Sequence, residues 1–227
     1  MQKEFAYPLI LVRHAQSQHY VKGLTGGWTD TSLNDVGRKQ AACVAERLAE
    51  ELAGRPCSVW TSDLKRAAET ATAIGNALGM KPIETADLRD INNGVAAGKS
   101  LEEAERLAHP PTEPIHDWQP YPEAESWRQL QTRMSACGER LLAEQDTPLV
   151  LVTHGHPIVC LVAWWLGLDD ADDAVGVSFT AMPASISVLR VNEWGERTLE
   201  RLNDTAHLRA KGLAEAADLA PWPTNRD

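Results

Sequence analysis

Apolar positions along this chain fall into two kinds of run that alternate. Leu9 to Val12 and Leu149 to Val152 are continuous and rich in branched side chains, the pattern of a strand buried on both faces of a mostly parallel sheet. Cys57 to Trp60 predicts a short second strand. Between them, apolar residues recur at intervals of three and four: Val36, Ala41, Val44, Ala45, Leu48 and Leu52; then Ala67, Ala71, Ile74 and Leu78; then Trp127, Leu130, Met134, Cys137 and Leu141. Each set predicts an amphipathic helix. Ser32 or Asn34 can cap the first, which Gly54 stops; the second runs from about Ser62 to Leu78 with Gly79 as its stop, and the third follows Ser126. Pro157 suits the first position of a further helix reaching about Leu166. Alternation returns from Ile186 to Val191 and from Thr198 to Leu202, separated by Asn192 to Gly195, which predicts a hairpin at the sheet edge.

The order β, α, β, α, α, β, α followed by a hairpin predicts a three-layer α/β/α sandwich with a mostly parallel central sheet. Pro110, Pro111, Pro114, Pro120 and Pro122 interrupt the pattern between Lys99 and Glu123, apart from one short helix from Leu101 to Ala108. The expected organisation is therefore one domain over residues 1–208, with a lid insertion at about 99–124 and a tail at 209–227 that lacks a packing pattern.

Charge narrows the partners. The 227 residues carry 22 basic against 32 acidic side chains, a formal net charge of −10. Such a field repels nucleic-acid backbones and anionic membranes, so neither is expected as a partner, and any phosphate site must be built locally. Cys43, Cys57, Cys137 and Cys160 lie far apart with no CxxC, which predicts neither a zinc ribbon nor a disulfide framework and fits a reducing cytoplasm. The run from Tyr7 stops at Arg13, too short for a signal peptide or a membrane span. His154 and His156 flank a glycine without an accompanying ligand cluster, so no metal is expected and His156 reads as a helix-start residue. Trp164 and Trp165 read as core, and Asp169, Asp170, Asp172 and Asp173 as a solvated loop.

Three polar clusters follow the apolar strands directly: Arg13, His14 and Ser17; Thr61, Ser62 and Arg66; and Thr153, His154, Gly155 and His156. Parallel strands place their carboxyl ends along one edge, so these distant segments should converge on one crevice. The residue types suit phosphoryl transfer. Two guanidinium forks, Arg13 and Arg66, can hold equatorial phosphoryl oxygens, a neutral His14 imidazole is a competent nucleophile, and Gly155 can offer a backbone N–H at a helix start.

The motifs also match a known family. The stretch Leu11, Val12, Arg13, His14, Ala15, Gln16, Ser17 resembles the RHG motif that opens the histidine phosphatase superfamily, the phosphoglycerate mutase-like proteins. Gly27, Trp28, Thr29, Asp30 and Leu33, then Gly37, Gln40 and Ala41, resemble that family's next element. Thr61 to Ala67 with Glu69, Thr70 and Ala71, Glu125 with Ser126, and Thr153 to Gly155 are similar to the three that follow, in the same order between Leu9 and Leu208. The resemblance implies a phosphoglycerate mutase-like fold and cofactor-free hydrolysis of small phosphomonoesters through a phosphohistidine on His14. Arg13, Arg66, His154 and Gly155 would hold the phosphoryl group.

Leu88 to Gly94 resembles the element that supplies the proton donor, with Asp90 where many members carry Glu; Glu125 is the alternative acid. Ser17, Tyr20, Gly26 and Gly27 stand at substrate-side positions of the motifs. Tyr20 replaces an Asn of the mutases and Gly26 a Ser or Thr, and the insertion is shorter than theirs. These departures favour a phosphatase over a mutase, and a module that binds phosphate without turnover is the third alternative. His109, His116, Trp118 and Tyr121 in the insertion are either a substrate-selecting lid or incidental surface groups. A homodimer is the default assembly.

Overall fold

The computed structural model describes residues 7–144, 146–169 and 177–214. Six strands form one mixed sheet: β1 (Leu9–Arg13), β2 (Ser58–Ser62), β3 (Ile83–Thr85), β4 (Leu149–Thr153), β5 (Ile186–Val191) and β6 (Arg197–Asp204), in the order β3-β2-β4-β1-β5-β6. The first four run parallel, and β5 pairs antiparallel with both β1 and β6. The sequence-predicted hairpin is thus the antiparallel edge of the sheet.

Alternate residues of the central strands divide between two cores. Ile10, Val12, Val150 and Val152 pack with α2 (Asp35–Leu52) and α3 (Lys65–Leu78) on one face. Leu9, Leu11, Leu149 and Leu151 pack with α5 (Trp127–Glu144) and α6 (Gly155–Trp165) on the other, where Trp164 and Trp165 are buried. A strand covered on both sides needs no polar alternation, so the runs at β1 and β4 are continuous.

Local chemistry sets the helix ends. Asn34 caps α2 by accepting from the Gly37 amide at 2.8 Å, and Ala53 and Gly54 end it in left-handed backbone. Gly37 is required where it stands, because a Cβ there would lie 1.9 Å from the Gln16 carbonyl oxygen. Three boundaries differ from the sequence reading. Val36 is exposed, since the inner face of α2 is set by Gly37, Gln40, Ala41 and Val44. α3 starts at Lys65 because β2 continues to Ser62. α6 starts at Gly155, so Pro157 lies within its first turn rather than opening it.

The insertion carries α4 (Leu101–Leu107), closed at its start by a reciprocal Ser100–Glu103 capping box. The short α1 (Gln18–Val21) follows β1, and α7 (Ala206–Arg209) follows β6. Leu208 is buried, and Leu213 and Ala214 pack against the α2-side core, with Gln40 Nε2 donating to the Leu213 carbonyl at 3.0 Å. The first part of the expected tail is therefore attached; residues 215–227, like Asp170, Asp172 and Asp173, lie outside the described residues. All four cysteines are buried and free, and burial pushes the Cys137 thiol up to about 11.

Candidate active site

The register of β1 on β4 sets Arg13 beside Thr153, so the next residue of each strand, His14 and His154, leaves the sheet side by side. The His14 amide donates to the Thr153 carbonyl at 2.8 Å, and the two imidazole centres are 5.0 Å apart. Arg66, in the first turn of α3, reaches the same place from β2 and is fully buried. Its Nε donates to His14 Nε2 at 3.1 Å, its Nη1 to the Thr29 carbonyl at 2.8 Å and its Nη2 to the Gly27 carbonyl at 2.7 Å. The tautomer of His14 follows. Nδ1 carries the proton and donates to the Ala15 carbonyl at 2.8 Å, leaving the Nε2 lone pair facing Arg66.

Burial, with the charges of Arg66 and Arg13, holds both His14 and His154 well below the usual imidazole range, so both are neutral near pH 7. His154 shares a 2.9 Å hydrogen bond between Nε2 and Ser62 Oγ. Its buried Nδ1 has no hydrogen-bond partner among the described residues and lies 4.0 Å from Asp90 Oδ2. Arg13 Nη1 donates to the Ala181 carbonyl at 2.6 Å.

Asp90 is also buried here, its Oδ2 lying 3.5 Å from Arg66 Nη2. Burial pushes the carboxyl up, but the His156 hydrogen bond and charge and the Arg66 charge outweigh it, and the group lies below its ordinary value. Glu125 takes another position. Its carboxylate accepts from Arg133 Nη2 at 2.8 Å and from the Asn92 amide at 3.1 Å, while Arg133 also donates to the Asp90 carbonyl. Glu125 thus braces the Asp90 loop and does not line the cavity.

Part of this arrangement lines a cavity of about 570 Å³, whereas Arg66 and His154 are fully buried and are not among its lining residues. Arg13, His14, Asp90 and Gly155 form part of its polar floor, and Leu101, Tyr121, Val159 and Phe179 contribute an apolar wall. Gly26 and Gly27 line it too. A side chain at Gly27, where φ is 55°, would meet Asn93 Oδ1 at 2.5 Å. Ser17 and Tyr20 are not among the lining residues: Ser17 is buried with Oγ 3.0 Å from His19 Nδ1, and Tyr20 is exposed on α1.

Two further histidines sit on the floor: His19, which the sequence reading did not single out, and His156, which it placed in the converging cluster but read only as a helix-start residue. His19 is held neutral at about 4 by burial and Arg66, its ring 6.4 Å from that of His14. His156 does occupy a helix start, as its position implies, and it also donates from Nδ1 to Asp90 Oδ1 at 3.0 Å. Its spacing of two residues from His154 at a strand exit was the available signal. Among the described residues, no group of three or more His, Cys, Asp or Glu is arranged to hold a metal ion, and no helix is long and apolar enough to cross a membrane.

The neutral histidines make stability depend on pH. Folding lowers the values of His14 and His154 below the 6.5 of an unfolded chain, so the unfolded state binds more protons as pH falls. Their contribution is complete above pH 6.5 and is lost below it, at about 1.4 kcal/mol per proton per pH unit. His156, whose value is raised by its Asp90 bond, acts in the opposite sense and offsets part of the loss. Urea unfolding in phosphate-free buffer should therefore give a lower midpoint at about pH 5.5 than at about pH 7.5. An unchanged midpoint would contradict neutral burial of the pair.

A histidine whose lone pair meets an arginine fork at the carboxyl ends of parallel strands, with a second histidine alongside, defines a phosphoryl-transfer site. The chain belongs to the histidine phosphatase superfamily (branch 1), whose family model matches residues 9–205. A phosphohistidine intermediate is characteristic of that family. The chain is 32% identical over 171 residues to a glucosyl-3-phosphoglycerate phosphatase of Mycolicibacterium vanbaalenii, covering 70% of this chain and 74% of that one. It is 31% identical over 215 residues to a metal-independent phosphoserine phosphatase of Arabidopsis thaliana, covering 91% and 85%. Among solved structures, a mycobacterial glucosyl-3-phosphoglycerate phosphatase in complex with VO3 superposes with a TM-score of 0.72 at 27% identity, over 88% of this chain and all of that one.

Proposed function

We propose that this protein hydrolyses phosphomonoesters in two steps at His14 without a cofactor. The observation that carries the reading is the buried, neutral His14 with its Nε2 lone pair held against the Arg66 fork and beside His154. In the first step Nε2 attacks phosphorus while Arg13, Arg66, His154 and the Gly155 N–H hold the phosphoryl oxygens. The ester P–O bond breaks and the leaving oxygen takes a proton from Asp90. In the second step water attacks the phosphohistidine and gives its proton back to Asp90, which frees phosphate and restores His14.

The insertion at 99–124 acts as the lid, a role supported by Leu101 and Tyr121 at the cavity wall. Four buried free thiols support a reducing, cytoplasmic setting.

The wall also bears on the substrate. Apart from Arg13, the described lining residues include no lysine or arginine that could hold a carboxylate or a second phosphate. This favours hydrolysis over mutase transfer and an uncharged, apolar alcohol portion. Phosphate release assayed with EDTA present should persist. Under those conditions phenyl phosphate should exceed 4-carboxyphenyl phosphate in kcat/KM by at least ~10-fold, because the carboxylate would be desolvated against the apolar wall of Leu101, Tyr121, Val159 and Phe179. Equal or better cleavage of the carboxylated ester would refute this reading of the wall; loss of all activity to the chelator would refute the metal-independent scheme.

A further inference from the structure

Asp90 by itself is poorly placed to keep a proton for the leaving group. Its Oδ1 accepts from the Ile91 amide at 3.0 Å, and its Oδ2 lies 3.5 Å from Arg66, both of which favour the carboxylate. A second proton carrier adjoins it. His156, in the first turn of α6, sets Nδ1 3.0 Å from Asp90 Oδ1, with its half-exposed ring edge-on to Trp127 at 6.0 Å. The two carboxyl oxygens are therefore divided between tasks. Oδ1 faces His156, whereas Oδ2 faces Arg66 and the unpartnered Nδ1 of His154, on the side of the reaction centre.

We propose that His156 is a positioning and proton-relay residue that acts through Asp90, so that the leaving group is protonated by the pair rather than by the carboxyl alone. The inference rests on the reading of His14 as nucleophile. A dianionic ester seated on Arg13 and Arg66 places negative charge beside Asp90 and favours its protonated form, with the proton on Oδ2. As the P–O bond breaks, the leaving oxygen takes that proton and the Nδ1 proton of His156 passes to Oδ1. The carboxyl stays neutral beside the anionic phosphoryl group, and His156 becomes neutral. In the second step water gives a proton to Oδ2, and the Oδ1 proton returns to Nδ1.

The surroundings suit this cycle. The charged groups facing His156 are the Asp90 carboxylate from the loop after β3 and the Arg13 guanidinium from β1, and Trp127 of α5 is uncharged. The Asp90 bond raises the imidazole above its ordinary value, which favours the protonated ring in the resting site.

The test compares His156→Gln and His156→Phe with the unsubstituted protein on two esters, 4-nitrophenyl phosphate and propyl phosphate, by kcat/KM across pH. Nitrophenolate leaves without needing a proton and propoxide cannot. Both variants should lose ~100-fold on propyl phosphate and no more than ~3-fold on 4-nitrophenyl phosphate, and the alkaline limb set by His156 should disappear from the propyl profile. Equal losses on both esters, or no loss on either, would overturn the relay. Retained nitrophenyl turnover shows that a variant is folded. The parent reading is tested separately, because nitrophenyl turnover that survives in His14→Ala would refute the nucleophile itself.

Discussion

Replacing His14 by alanine should lower kcat/KM for any phosphomonoester by at least ~10⁴-fold, because the proposed covalent intermediate forms on its Nε2. His154 is the nearest rival imidazole, but its Nε2 is engaged by Ser62 Oγ at 2.9 Å and its Nδ1 faces Asp90. His14→Gln is the companion variant. Its side chain can still offer Arg66 Nε an acceptor, so the fold should remain close to the unsubstituted stability while turnover is lost. Rapid acid and alkaline quenching supplies an independent readout: the unsubstituted protein should carry a phosphoryl label that acid removes and base preserves, and neither variant should carry it. Phosphate release within tenfold of the unsubstituted rate in either variant would remove His14 from the mechanism.

Arg66→Lys should be nearly as damaging, despite keeping the charge. The guanidinium spends Nε on His14, Nη1 on the Thr29 carbonyl and Nη2 on the Gly27 carbonyl, three directions fixed by one planar group. An ammonium is a point donor on a flexible stem and cannot reach all three. Each buried carbonyl left unpaired costs about 1–3 kcal/mol, so the substitution should destabilise the fold by about 2–4 kcal/mol. Activity should fall by ~10²–10³-fold, because His14 loses the contact that orients its ring and the site loses the guanidinium beside it. Urea unfolding and phosphate release measure the two effects separately. A stable variant with normal turnover would mean that Arg66 is only packing.

Much of this site was legible because its parts adjoin the strongest signals in the chain. β1 and β4 each present four apolar residues whose side chains divide between two cores, so the runs announce buried parallel strands, and the first polar residues after them must emerge at one edge. β3 was missed for the complementary reason. Its three residues, Ile83 to Thr85, have no buried side chain and no period of their own, and they become a strand by pairing with β2. His19 lay hidden, and the Asp90 contact of His156 with it, because which face of a short helix or first turn meets the cavity depends on neighbours distant in sequence. Tyr20 shows the converse: a motif position two residues along α1 from Gln18 that the helix turns to solvent.

The position of β1 in the sheet also bears on how the protein is made. β1 is made before both of its neighbours in the sheet, β4 and β5, which begin at Leu149 and Ile186. Until those arrive, Leu9 to Val12 have no partner strand, and His14 has neither Thr153 to hold its amide nor His154 beside it. Sequence-distant pairings of this kind are slow to close and leave an apolar strand in need of protection during synthesis. The surroundings of His14 are therefore assembled only once β4 and β5 have been made and have closed on the first strand.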